Sequence, residues 1–147
     1  MKDGFLKFTT LITDITRKIR RIISETVAQY EIKRSYALPL YFLYKNGPQS
    51  AAKLTKLCAE DKANVSRTLR ALEDDGYIVR EERAGARSRV RFALSEEGME
   101  IGGYLARRMV EAVRGATDGI GLDELEVMYS VLGRIDANLA ELFDKSN

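Results

Sequence analysis

The chain has 147 residues, 45% hydrophobic and 31% charged, with a net charge of +2. That is enough apolar material for one domain with a core, and too little net charge to signal a nucleic-acid partner by itself. The absence of histidine removes the commonest general base and metal ligand, and a single cysteine, Cys58, excludes an intrachain disulfide or a Cys-based zinc site within one chain. The stretch opening Met1-Lys2-Asp3-Gly4 lacks the apolar h-region and small-residue cleavage site of a signal peptide, so none is expected, and no apolar run nears the ~18 residues of a membrane span. A cytoplasmic protein without membrane contact, metal or cofactor is expected.

Over residues 5–30, apolar side chains recur at Phe5, Phe8, Ile12, Ile15, Ile19, Ile22 and Ile23. Steps of three and four mark one stripe of a helix of ~25 residues. So long a stripe on a small protein needs a cover, and the expected cover is a partner chain. Arg17, Lys18, Arg20 and Arg21 read as a solvated face, with contact to a DNA backbone as the lesser alternative. Residues 31–35 break the pattern. A second helix is expected from Leu38, its first turn accepting Pro39, with Leu40, Phe42, Leu43 and Tyr44 inward. Asn46-Gly47-Pro48 ends it.

Ser50 then caps a short helix over 51–57, with Leu54 and Leu57 facing the core. Residues 58–60 form the turn. Asp61 caps a second helix over 61–75, and Gly76 is its C′ residue. This helix puts Asn64, Ser66, Arg67 and Arg70 on a polar side and Val65, Leu69 and Leu72 on an apolar one. Strands follow over 77–82 and 88–94. The second alternates Val90, Phe92 and Leu94 against Arg89, Arg91 and Ala93, as in a wing packed on one side. Arg83, Arg87, Arg89 and Arg91 place four positive charges in nine residues without an acid. A helix that enters a groove beside a basic hairpin is a winged helix-turn-helix, a unit that most often binds duplex DNA.

Ser95 opens a further helix running to about Arg114, with Leu94 and Met99 as a hydrophobic staple and Ile101, Tyr104, Leu105, Met109 and Val113 as its stripe. Residues 115–121 read as a loop. Asp123 caps the last helix, Glu126 closes an Asp form of the capping box, and Leu122 staples to Val127. Leu125, Met128, Val131 or Leu132, Ile135, Leu139 and Leu142 form its stripe. The central module is too small to bury the helices at both ends. A C₂ homodimer solves this, and a monomer with the helices folded on their own module is the less favoured alternative. The expected fold is mainly α with a small antiparallel β-wing. A winged helix-turn-helix over 35–95 is flanked by dimerisation helices over 1–34 and 96–147.

Three stretches carry a family resemblance: YALPLY from Tyr36, DKANVSRTLRALEDDGYI from Asp61 and RSRVRFALSEEG from Arg87. In these, and in the order and size of its elements, the chain resembles the MarR (multiple antibiotic resistance regulator) family of bacterial transcription factors. The resemblance implies a homodimer built by the terminal helices and a pseudo-palindromic operator. It places Ala63, Asn64, Ser66, Arg67 and Arg70 near the major groove of double-stranded DNA and Arg87 in the minor groove. Arg83 and Arg89, on the same basic wing, are added as candidate DNA contacts. The resemblance also implies a small aromatic or phenolic effector between the dimer helices and the DNA-binding lobe. On that analogy Tyr30, Tyr36, Tyr41 and Tyr44 are candidate pocket residues, although such tyrosines more often serve as core and rim. Three positions depart from the family pattern: Ala86 where an acid often precedes the wing arginine, Ala37 where Ser or Thr often caps, and Cys58 where Gly is frequent. With Glu60 and Asp61 beside it, Cys58 reads as a small semi-buried residue rather than a thiol sensor. The expected function is a dimeric, sequence-specific DNA-binding regulator, a ligand-responsive repressor, and not an enzyme. The alternative is a winged-helix module for protein–protein assembly.

Overall fold

The computed structural model describes residues 2–81 and 90–144. Helix α1, Lys2–Ala28, is 27 residues long. Its apolar stripe divides in two: Ile23 and Val27 near its end are buried, whereas Phe5, Leu11, Ile15 and Ile19 are exposed. Glu31, in the left-handed region, and a 3₁₀ turn over Arg34–Tyr36 lead into α2, Ala37–Asn46. This helix begins one residue earlier than its apolar pattern suggests, because the 3₁₀ turn feeds straight into it: the Ala37 N–H donates to the Arg34 carbonyl. Leu40 and Leu43 are buried as expected, but Tyr44 stands exposed and Phe42 only half-buried.

Gly47, at φ 71°, turns the chain into β1, Gln49–Ser50. Helix α3, Ala51–Cys58, is capped by Ser50, whose Oγ accepts from the Lys53 N–H at 3.2 Å. Cys58, expected in the turn, instead closes α3, and the left-handed Ala59 makes the turn. Helix α4, Lys62–Asp74, starts at Asp61, whose carboxylate accepts from the Asn64 N–H at 2.9 Å. It ends in a Schellman motif. Gly76 has φ 81°, its N–H donates to the Glu73 carbonyl at 3.1 Å, and the Tyr77 N–H reaches the Leu72 carbonyl at 2.9 Å.

Strands β2, Ile78–Glu81, and β3, Arg91–Leu94, pair antiparallel, and β1 adds to the far side of β3. In this register Ile78 faces Leu94 and Arg80 faces Phe92. Phe92 is buried, with Val90 and Leu94 packed against the core. The outer parts of both expected strands, with Arg83, Ala86, Arg87 and Arg89, lie outside the described residues.

Helix α5, Glu96–Ala116, is capped by Ser95 and runs through Arg114 and Gly115. It lies close against α2: a Cβ at Gly102 would sit 2.9 Å from Tyr44 Cβ and 3.0 Å from the Leu40 carbonyl. Contacts divide the chain into units 1–112 and 113–147, so α1 and most of α5 share a unit with the winged helix. The core of the first unit centres on Tyr36, Leu40, Leu54, Leu72, Ile78 and Leu105. In the second unit, α6, Leu122–Asp144, has its cap earlier than Asp123. Gly121 is the N-cap: its carbonyl accepts from the Leu125 N–H and its N–H donates to Glu124 Oε2 at 2.9 Å. Asp123 therefore lies within the first turn, and Glu124 rather than Glu126 turns back to accept from the cap's N–H. Most of α6's apolar stripe is exposed. No helix among the described residues is long and apolar enough to cross a membrane.

The approach of α5 to the wing explains Gly98, where a Cβ would run into the Tyr77 carbonyl. Gly98→Ala should destabilise the fold by about 3 kcal/mol, since backbone rather than a flexible side chain must give way. Gly115→Ala, with open space around it, should gain up to about 1 kcal/mol of helix propensity. Urea unfolding of the two variants checks the contrast.

Candidate nucleic-acid interface

Helix α4 is amphipathic, and its apolar side decides what the other side can do. Val65, Leu69 and Leu72 are buried, which turns Ala63, Asn64, Ser66, Arg67 and Arg70 outward; all five are exposed. Arg67 and Arg70, three residues apart, share one face. With Ser66, Ala71 and Asp74 they border a shallow groove of about 250 Å³.

The first turn of this face is pre-ordered. Asp61 accepts from the Asn64 N–H and, at 2.6 Å, from its side-chain Nδ2. Asn64 Oδ1 in turn accepts from the Arg67 guanidinium. One carboxylate thus caps the helix and orients an amide, which then orients an arginine. Glu73, four residues from Leu69 and three from Arg70, is not available to neutralise the face. It is held by Arg80 Nε at 2.8 and 3.1 Å. The Arg70 side chain has no hydrogen bond or ion pair among the described residues.

Of the four arginines at positions 83, 87, 89 and 91, Arg91 is the one among the described residues. It is half-buried, and its guanidinium donates to the Pro48 carbonyl, which ties β3 to the approach to β1. The row expected to face outward from the wing therefore loses Arg91 to a structural bond. Sequence pattern could not show this, because the acceptor is a backbone carbonyl 43 residues away.

The structure does not gather the four tyrosines. Tyr30 packs edge-on against Tyr104, with centroids 4.9 Å apart. Tyr36 is buried and donates its hydroxyl to Asp75. Tyr41 stacks edge-on with Phe42, and Tyr44 lies beside Gly103 of α5. None of them lines either of two cavities on α1. One, of about 660 Å³, is bordered by Thr13, Thr16, Arg17, Arg20, Arg21 and Arg34. The other, about 380 Å³, lies among α1, α2 and the α3–α4 turn and is bordered by Arg20, Ile23, Arg34, Leu38, Cys58 and Val65. Arg34 was not singled out from the sequence, since it falls in a stretch with no periodicity. Among the described residues no cluster of three or more carboxylates or thiols could hold a metal ion.

Two short helices joined by a tight turn, the second exposed along one side and followed by an antiparallel sheet, are a winged helix-turn-helix. Residues 30–88 match the model of the MarR family. The resemblance to that family read from the sequence is borne out over those residues. Solved structures of the same fold include the transcriptional regulator SlyA, 21% identical with a TM-score of 0.82, covering 95% of this chain and 99% of that one. A MarR family transcriptional regulator from Listeria monocytogenes complexed with 26mer DNA is 18% identical with a TM-score of 0.78, covering 92% and 94%. The S. aureus MepR–DNA complex is 19% identical with a TM-score of 0.79, covering 90% and 96%.

Burial, and secondarily the charge of Glu60, push the Cys58 thiol up to about 11 from its ordinary 9.0. The thiol should therefore resist alkylation at pH 8 in the folded protein and react once the protein is unfolded in urea. Its contribution to stability is complete below about pH 9 and is lost as pH rises towards 11, because the unfolded chain releases that proton first. Cys58→Ser should flatten this part of the stability profile, measured by denaturant midpoint against pH.

Proposed function

We propose that this protein is a DNA-binding transcription regulator that lays α4 in the major groove of a pseudo-palindromic operator. The carrying observation is the outward row Ala63, Asn64, Ser66, Arg67 and Arg70 on a helix whose other side belongs to the core. Arginine can pair bidentately with guanine, and asparagine with adenine. Two proteins of the same fold were solved with DNA, the regulator from L. monocytogenes and MepR. In this reading Arg83, Arg87 and Arg89 reach the adjacent minor groove and phosphates.

The protein acts as a homodimer. The exposed stripe of α1, including Phe5, Leu11 and Ile15, and the exposed stripe of α6, including Met128 and Leu139, supply apolar surface for a second copy. Two recognition helices about 34–36 Å apart then meet successive major grooves. A small aromatic or phenolic effector lowers DNA affinity, making the protein a repressor. Arg20 and Arg34, beside the apolar Ile23 and Leu38, suit a phenolate or aromatic carboxylate better than the four dispersed tyrosines do. An effector of this kind acts only by binding one spacing of the helices more tightly than the other.

Selection from a random duplex pool tests the reading. An enriched inverted repeat is expected, with affinity falling steeply as salt rises; no enrichment would overturn it. Light scattering should give twice the 16.6 kDa of one chain. Arg67→Ala should cost about 1–3 kcal/mol on the selected duplex and relax preference at one base pair of each half-site, read by fluorescence anisotropy on single-base variants.

A further inference from the structure

Tyr36 has a buried ring, at 1% exposure, and a hydroxyl that donates to Asp75 Oδ2 at 2.5 Å across 39 residues of sequence. One partner lies in the 3₁₀ turn between α1 and α2, and the other is the C-cap of α4. The Tyr36 ring also meets Tyr77 edge-on, with centroids 6.0 Å apart, and Lys33 Nζ lies 5.5 Å from its centre. The residue before α5 holds the same segment: Ser95 Oγ donates to the Gly76 carbonyl at 2.6 Å and the Ser95 N–H to the Tyr77 carbonyl at 3.0 Å. Three consecutive residues, Asp75, Gly76 and Tyr77, are thus gripped by the α1–α2 junction and by α5.

We propose that the Tyr36–Asp75 hydrogen bond sets the angle at which α4 is presented, so that Tyr36 is a positioning residue for base discrimination although it touches no DNA. The inference rests on the proposed reading of α4 as the DNA-reading helix. Leverage supplies the mechanism. Asn64 lies eleven residues before Asp75, about 16 Å along the helix at its 1.5 Å rise. A tilt of about 5° at the Asp75 end displaces Asn64 by more than about 1 Å, enough to misalign base contacts while phosphate contacts through long side chains adapt. Burial, reinforced by Asp75, raises the Tyr36 hydroxyl well above its ordinary range, so it remains the donor at neutral pH. Asp75 itself is exposed. Tyr36→Phe therefore keeps the ring in the core and leaves the freed carboxylate to water, removing the bond without burying an unpaired charge.

The test uses the full chain, a duplex selected by the wild type from a random pool and a scrambled duplex of equal length. Tyr36→Phe and Asp75→Ala should each lower the ratio of selected to scrambled affinity about tenfold, the scale of one hydrogen bond to a charged group. The double variant should be no worse than the weaker single. Asp75→Asn, which keeps an acceptor, should hold most of the ratio. Unchanged ratios, or losses that add, would overturn the proposal even if every variant melts at a lower temperature. Should the wild type select no duplex, the DNA reading fails, and amide exchange decides the positioning claim. Faster exchange over residues 72–77 in Tyr36→Phe, with the first turns of α4 still protected, supports it; unchanged exchange sinks it.

Discussion

Burial of Val65, Leu69 and Leu72 along one edge of α4 is the constraint on which the rest depends. Three apolar side chains at helical spacing leave the helix one way to lie on its core. Its polar edge is thereby committed to the outside without any contact of its own to hold it there. Fully burying residues of this kind stabilises by roughly 1.5–3 kcal/mol each, whereas an exposed arginine or asparagine contributes almost nothing to folding. The face can therefore hold whatever residues recognition needs, because the fold does not draw on them.

The two ends of this helix are secured by different physics. At the start, Asp61 satisfies one orphan N–H and organises Asn64 and Arg67 in the same step. At the end, Gly76 supplies a backbone conformation that a side chain would strain, and so leads the chain through Tyr77 into β2. The Arg80–Glu73 pair then ties the strand back to the helix it follows. That pair is partly exposed, so it fixes direction more than it adds stability.

Much of this was legible in the sequence because it is local. The caps at Ser50 and Asp61, the glycine at 76 and the two sides of α4 are each written within four residues of where they act. What was not legible depends on partners far along the chain. Strand β1 has two residues and no propensity signal; it exists because β3 offers Phe92 and Arg91 to pair with. Arg91 looked like wing charge until its acceptor, the Pro48 carbonyl, was in view. Tyr36 looked like a pocket tyrosine, and its partner lies 39 residues away. At α6 the signal was local but ambiguous: Asp123, Glu124 and Glu126 can each serve a helix start, and the glycine at 121 settled which acid turned back.

The Arg80–Glu73 pairing has a further consequence for encounter with a polyanion. With Glu73 held by Arg80, the exposed charges of α4 are positive at Lys62, Arg67 and Arg70 and turn negative at its end, at Asp74 and Asp75; at its start the Asp61 carboxylate is engaged by Asn64. The helix dipole adds to this with the same sign, positive at the start. Through most of its length the exposed edge is thus attractive to phosphate, and its last turn is repellent. Such a gradient acts before any base is touched, over about a Debye length, or roughly 8 Å at physiological salt. In the proposed reading of α4, such a gradient favours encounters led by its first turns over those led by its last.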